Sequence, residues 1–286
     1  MNTEKNREKW VEKIKQTLEI GGRSQRTFDN YKSHLKRFLN YYDVNTDFKK
    51  LKEEEILDYF RKKYINANVS GETYNMALKS IKYFYSVCFN RDLRKNLLPN
   101  YKLRKRLPNI ITKNDFINIF NNDKNIKHKC WLLLAFCSGL RVDEIANLKI
   151  ENINSNEHKL KVLGKGNKER YTILPDITIK YLRLYYVQYK LTKKNGYLFN
   201  NWEKNKSDHL NSKTIINYFT KIKKTFNLDD NLTFHCLRHS FASYYLSNGG
   251  NLLTLQSMMG HKSINSTIIY LHLSQNFNQL EGIKYV

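Results

Sequence analysis

Apolar positions recur along this chain with the period of helices almost from end to end. Trp10, Val11, Ile14 and Leu18 form one stripe that stops at Gly21-Gly22, a common helix terminator. Ser24 stands where an N-cap belongs, ahead of Phe28, Tyr31, Leu35, Phe38 and Leu39. The acidic run Glu53-Glu54-Glu55 suits a helix start and leads into Ile56, Leu57, Phe60 and Tyr64. A fourth stripe follows Ser70-Gly71 with Tyr74, Leu78, Ile81, Tyr85 and Cys88. Four amphipathic helices on short links predict a small bundle over residues 1–90. Residues 91–107 lose the period and gain charge at Lys102, Arg104, Lys105 and Arg106, as an interdomain linker would.

Residues 108–286 then read as a second domain. Thr112 with Asp115 predicts a capping box, and CWLLLAFCSGL (residues 130–140) is apolar nearly all round, as a central buried helix is. A short helix starts at Arg141. From His158 the period changes to two, in HKLKVLG and KERYTILP, around the turn Gly164-Lys165-Gly166-Asn167-Lys168. That pattern predicts a β-hairpin. Helices follow around Tyr181–Tyr189 and Ile215–Phe226, and then TFHCLRHSFASYYLSNGG and NLLTLQSMMGHKSINSTIIYLHL close the domain. In the last of these, Ile264, Ile268 and Leu271 are expected to face the core, with Tyr270 about 100° around the helix from them. Beyond it Ser274 can cap a short tail helix that has Phe277 and Leu280 on one face. The expected fold class is mainly α with a small β-hairpin or sheet.

Composition narrows the function. The 286 residues carry a formal charge of +24. Residues 1–107 hold 25 basic and 13 acidic side chains, which is half of the excess, so basicity is not confined to a tail. Such a chain suits a polyanionic partner gripped from two sides. Cys88, Cys130, Cys137 and Cys236 are scattered without a CxxC pair, as in a reduced, cytoplasmic protein. The charged N-terminus does not read as a signal peptide, and no apolar run reaches membrane-spanning length.

Candidate chemistry lies in apolar helical text. His235, Arg238, His239 and Ala242 fall at i, i+3, i+4 and i+7 and share one helix face. The i, i+4 histidines have the spacing of a zinc-protease helix, but Cys236 stands where its catalytic Glu is needed. The glycine-rich turn at 164–168 lacks the Walker spacing and the strand–loop–helix context of a phosphate loop. Arg141, just past a buried helix and a turn glycine, sits at a rim where a guanidinium can grip a phosphate bidentately. An ordinary Arg141–Glu144 helix pair fits the same residues.

His235-Cys-Leu-Arg238, Gly260-His261 and Tyr270 resemble the signature of tyrosine recombinases, the integrase and Xer-type enzymes that cut and rejoin DNA. SGLRVDEIANL resembles their first catalytic box, and GKGNKER resembles their β-hairpin. The resemblance implies that Arg141 and Arg238 bind the scissile phosphate and that Glu144 supports the site. It implies His235 and His261 as positioning and proton-relaying groups, Lys165 as general acid, with Lys168 close by, and Tyr270 as nucleophile. His239 is left with a structural role. GGRSQRTFDNYKSHLKRFLNYY resembles the opening of the family's core-binding domain, with Arg23, Ser24, Arg26 and Lys32 as phosphate contacts or as a solvated face, and Lys102 and Arg104 along the DNA.

The implied activity is site-specific recombination through a 3′-phosphotyrosine, in an Xer-like or a mobile-element role. A type IB topoisomerase-like relaxation and a silent DNA-binding scaffold are the alternatives. The resemblance implies no cofactor and no metal. It implies a double-stranded partner with inverted repeats and a cyclic homo-tetramer on two sites, monomeric or weakly oligomeric off DNA. The tail, which could also fold back on its own domain, would then dock on a neighbouring protomer, and the protein would be cytoplasmic and nucleoid-associated. The short length argues against the expectation of a third, arm-binding domain of the kind large phage integrases carry.

Overall fold

The computed structural model describes residues 4–94, 96–103, 107–164, 169–191, 196–200 and 210–275. The chain divides into two compact units, Met1–Lys105 and Arg106–Val286. No helix among the described residues is long and apolar enough to cross a membrane.

In the first unit α1 (Glu4–Ile20), α2 (Gln25–Leu39), α3 (Glu53–Phe60) and α4 (Gly71–Phe89) pack as a bundle. The α2 stripe from Phe28 to Leu39 is buried as its spacing requires. Ser24 holds the N-cap position of α2, yet its hydroxyl meets that of Thr27 at 3.0 Å and makes no cap bond to the backbone. In α3 the buried apolar residues are Ile56, Tyr59 and Phe60, so Tyr59 replaces the expected Leu57. A π-turn over Arg61–Ile65 extends α3 and keeps Tyr64 inside. Residues 91–94 and 96–103 lie against this bundle. Leu93 and Leu98 are buried in its core, and Arg94 pairs with the buried Glu53 at 2.6 Å. Asn75 on α4 holds the backbone of Tyr101 at both its N–H and its carbonyl.

The second unit is built around α6 (Ile126–Phe136), buried continuously from Cys130 to Phe136. Thr112 caps α5 (Lys113–Asn122) by accepting from the Asp115 amide at 3.1 Å. A three-stranded antiparallel sheet of β1 (Ile153–Asn154), β2 (Lys159–Leu163) and β3 (Glu169–Ile173), in that order, contains the expected hairpin and one further short strand. The remaining helices are α7 (Val142–Ala146), α8 (Asp176–Gln188), α9 (Ser212–Thr225), α10 (Phe234–Ser247), α11 (Leu252–Met259) and α12 (Asn265–Gln275).

Two expectations for the C-terminal end need correction. The buried stripe of α12 is Thr267, Tyr270 and Leu273, whereas Ile264, Ile268 and Leu271 are only half-buried. The helix is turned so that Tyr270 joins the cluster formed by Phe241, Leu255, Met258 and Met259. Ser274 lies inside α12 and so does not cap a separate helix, and residues 276–286 lie outside the described residues.

Candidate active site

One carboxylate organises the site. Glu144, in the first turn of α7, has a side chain that is 7% exposed, and three guanidinium groups surround it. Arg141, at the N-cap of α7, reaches Glu144 Oε1 at 2.8 Å through Nη1, while its backbone N–H donates to Oε2 at 2.7 Å. Arg170, on β3, donates to both oxygens at 2.7 Å in a fork-to-fork pair. Arg238, on α10, stands 3.7 Å from Oε2. Burial alone would raise the Glu144 carboxyl, but the Arg170 bonds and the charges of Arg170 and Arg238 hold it down at about 2. One negative charge against three positive ones leaves the site strongly electropositive.

Backbone carbonyls fix the arginines. Arg141 Nη2 and Arg238 Nη2 both donate to the carbonyl of Met259, Arg238 Nη1 donates to that of Gly139, and Arg170 Nε donates to that of Met258 at 2.7 Å. Arg238 is 1% exposed, and burial followed by the charge of Arg141 brings its guanidinium down to about 9, still protonated at neutral pH. Arg141 keeps 36% of its side chain exposed and is the most open of the three guanidinium groups.

Two glycines make this convergence possible. Gly139 turns the chain from α6 towards Arg141 at a φ of +69°, and a Cβ there would run into the Phe241 ring. Gly260 ends α11 at a φ of +62°, where a Cβ would lie 2.9 Å from Cδ of Arg170.

The histidines and the tyrosine line the same site. His261 Nδ1 is 2.9 Å from the Thr267 hydroxyl, and its ring lies nearly parallel to that of Tyr270 with centroids 6.3 Å apart. Burial and the charges of Arg238, Arg141 and Arg170 bring His261 down to about 4. His235 is exposed in the first turn of α10, and partial desolvation, then Arg238 and Arg141, lower it as well. Tyr270 is 2% exposed. Burial pushes its phenol up to about 12, and the nearby Arg238 and Arg141 charges work in the opposite direction. Its hydroxyl lies 2.7 Å from Nδ1 of His239.

A model of the phage integrase family matches residues 109–276, and one of the phage integrase N-terminal SAM-like domain matches residues 10–95. The chain belongs to the phage integrase family, the tyrosine recombinases. Tyrosine recombinase XerA of Pyrococcus horikoshii is 32% identical over 263 residues, spanning 91% of this chain and 87% of that protein. Tyrosine recombinase XerD of Staphylococcus epidermidis is 28% identical over 273 residues, spanning 89% and 90%. Among solved structures, a lambda integrase dimer bound to a core site superposes with a TM-score of 0.72 at 17% identity, over 98% of this chain and 99% of that one. XerH bound to its palindromic difH substrate gives 0.71 at 19% identity, over 88% and 78%. The mainly helical fold with its small sheet is therefore that of the integrases. As a tyrosine recombinase the protein is an enzyme that breaks and rejoins DNA strands.

Of the residues expected in the recombinase site, Arg141, Glu144, Arg238, His261 and Tyr270 converge, with His235 on the first turn of α10. Lys165, Lys168 and Arg104 lie outside the described residues. In the first unit Arg23, Ser24 and Arg26 are exposed around the start of α2, Lys32 lies half-buried 5.6 Å from the Phe28 ring, and Lys102 is exposed. Arg170 did not emerge from the sequence, and His239, grouped there with His235 and Arg238, was expected to have only a structural role. The signal for Arg170 was its alternation with Thr172, two polar residues on one face of a strand. His239 shares the face of His235 and Arg238 but adds no motif of its own.

Proposed function

We propose that this recombinase carries out site-specific recombination on double-stranded DNA through a 3′-phosphotyrosine, with Tyr270 as nucleophile. Arg141 and Arg238 would hold the non-bridging oxygens of the scissile phosphate, where positioned positive charge stabilises the transition state. Tyr270 Oη attacks phosphorus and gives up its proton to a neutral histidine of the site. The bond to the 5′-oxygen breaks, and Lys165 protonates that oxygen. A 5′-hydroxyl from a partner strand then reverses the steps and frees Tyr270. Bond energy is kept in the covalent link, so no nucleotide is consumed. Glu144 would set the two clamp arginines, with His235 and His261 positioning the phosphate and relaying protons.

The observation that carries this reading is that Arg141 and Arg238 meet on one buried carboxylate while His261 and Tyr270, ring beside ring, stand within the reach of their charges, from segments up to 129 residues apart in sequence. The relatives support the wider setting. Solved structures of similar proteins include a lambda integrase tetramer bound to a Holliday junction, and XerH is seen on a palindromic site. We extend these to this chain as an inverted-repeat DNA partner, a homo-tetramer on two sites and a place in the cytoplasm with the nucleoid. Residues 1–90 would act as the DNA clamp, 91–107 as its link and 108–286 as the catalytic domain.

The test uses a nicked duplex carrying a site selected from a random-sequence pool by the full-length protein. Wild-type protein should give a covalent complex on a denaturing gel, and Tyr270→Phe should bind the site but give none. A covalent band surviving in Tyr270→Phe would overturn the assignment.

A further inference from the structure

His239 makes no bond to the carboxylate–arginine cluster, yet it is the side chain that holds the Tyr270 hydroxyl. Nδ1 and Oη are 2.7 Å apart, linking α10 to α12 across 31 residues of chain. The contact is built from both sides. Tyr270 is 2% exposed and packs among Phe241, Leu255 and Met259, so its ring has one place to go. His239 is half-buried, one turn along α10 from His235, and the two imidazoles meet edge to face at 4.6 Å. Burial first, then the charges facing it from His235, Arg238 and His261, bring His239 down to about 3. It is therefore neutral at working pH, with one ring nitrogen an acceptor and the other a donor. A phenol that high in pKa keeps its proton, and in the Nε2–H tautomer of His239 the bare Nδ1 is the acceptor that this O–H faces.

We infer that His239 is a positioning residue for strand cleavage: it accepts the hydrogen bond of the Tyr270 phenol and so fixes the nucleophile's hydroxyl beside the arginine clamp. The idea rests on Tyr270 being the nucleophile. With the O–H pointed at the imidazole, the oxygen's lone pairs are left for phosphorus. Without that acceptor, a buried phenol must turn to find another partner, because an unsatisfied polar group is costly in an apolar pocket. The attacking oxygen would then leave the line of attack, and small misplacements of a nucleophile cost rate steeply.

The side-chain geometry gives a sharp test. Asn places its Oδ1 the same number of bonds from the backbone as His Nδ1, whereas Gln places its carbonyl one bond further and Leu has no acceptor. Full-length His239→Asn, His239→Gln and His239→Leu would be compared with wild type on the selected nicked duplex. The readouts are the single-turnover rate of covalent-complex formation at saturating protein, half-site affinity and thermal midpoint. We expect Gln and Leu to slow covalent capture roughly tenfold, the size of one neutral hydrogen bond, and Asn to restore most of that rate. Half-site affinity should stay within about twofold in all three, since no phosphate contact is removed.

A second substrate separates nucleophile from leaving group. With sulfur in place of the bridging 5′-oxygen, the leaving group needs no proton, so a defect at the general acid disappears while a defect at the nucleophile persists. Slowing by Gln and Leu should persist on that substrate. Wild-type rates in Leu, an Asn variant as slow as Leu, or recovery on the sulfur substrate would each overturn the inference. Should the Leu variant fail to fold, the Asn and Gln pair carries the comparison. Covalent capture by Tyr270→Phe in the same experiment would instead sink the reading of the nucleophile itself.

Discussion

Glu144, His239 and His261 give the site a definite response to acid. The Glu144 carboxyl, held at about 2, contributes stability that is complete above its unfolded value near 4.3 and is lost as pH falls towards 2. The two histidines act with the same sign. Unfolded, they take up protons near 6.5; folded, they do so only at about 3 and about 4, so the unfolded state binds more protons in between. Stability should fall as pH drops from about 6.5, well before the carboxylates of the surface titrate. Urea midpoints measured from pH 7 to pH 4 would show it, and a midpoint unchanged over that range would contradict the neutral, buried histidines. At this scale the sequence was informative where a residue stands in a motif, as Arg141, Arg238, His261 and Tyr270 do, and these the fold brings together. It was misleading at Arg170. In ERYTI the apolar Tyr171 and Ile173 suggest that their face is the inner one, yet Tyr171 is 56% exposed and Arg170 and Thr172 are buried. The polar face turns inward because Arg170 meets Glu144 and Thr172 donates to the Ser138 carbonyl at 2.8 Å. Those partners lie far away in sequence, so periodicity could not supply them.

At the scale of elements, the site is a meeting of helix ends and one strand, and the turn after α11 sets their spacing. Gly260 combines a left-handed backbone with the close approach of Arg170. Gly260→Ala should cost about 1–2 kcal/mol, from backbone strain and from pushing the Arg170 side chain, and should lower the cleavage rate as Arg170 shifts against Glu144. Urea unfolding and single-turnover cleavage of the same variant check both halves, and a variant as stable and as fast as wild type would refute the role given to this turn. The helices themselves were legible because their stripes repeat over many residues, as in α2 and α6. The rotation of α12 was not. Its text is apolar on several sides, and what decides the inward face is the His239–Tyr270 bond together with the His261–Thr267 bond, both made by polar groups.

For the whole molecule, the even spread of basic residues over both halves bears on how DNA is held. If phosphates are neutralised from both units, affinity should fall steeply with salt, with a log–log slope of about −0.9 for each phosphate contacted. Arg23→Ala, at the exposed start of α2, should weaken binding across sequences and reduce that slope by about one. Filter binding over a salt series measures it, and a slope unchanged by Arg23→Ala would remove this residue from the contact surface. The central claim concerns Tyr270, and it can be read directly from the trapped covalent complex. Trypsin cuts after Lys262 and Lys284 and leaves residues 263–284, in which Tyr270 is the only tyrosine, whereas Tyr244 and Tyr245 fall in the peptide 239–262. Mass spectrometry of the complex after nuclease and trypsin treatment should find the nucleotide remnant on the peptide 263–284, at Tyr270. A remnant on the peptide 239–262, or on any other tyrosine of the chain, would contradict the account.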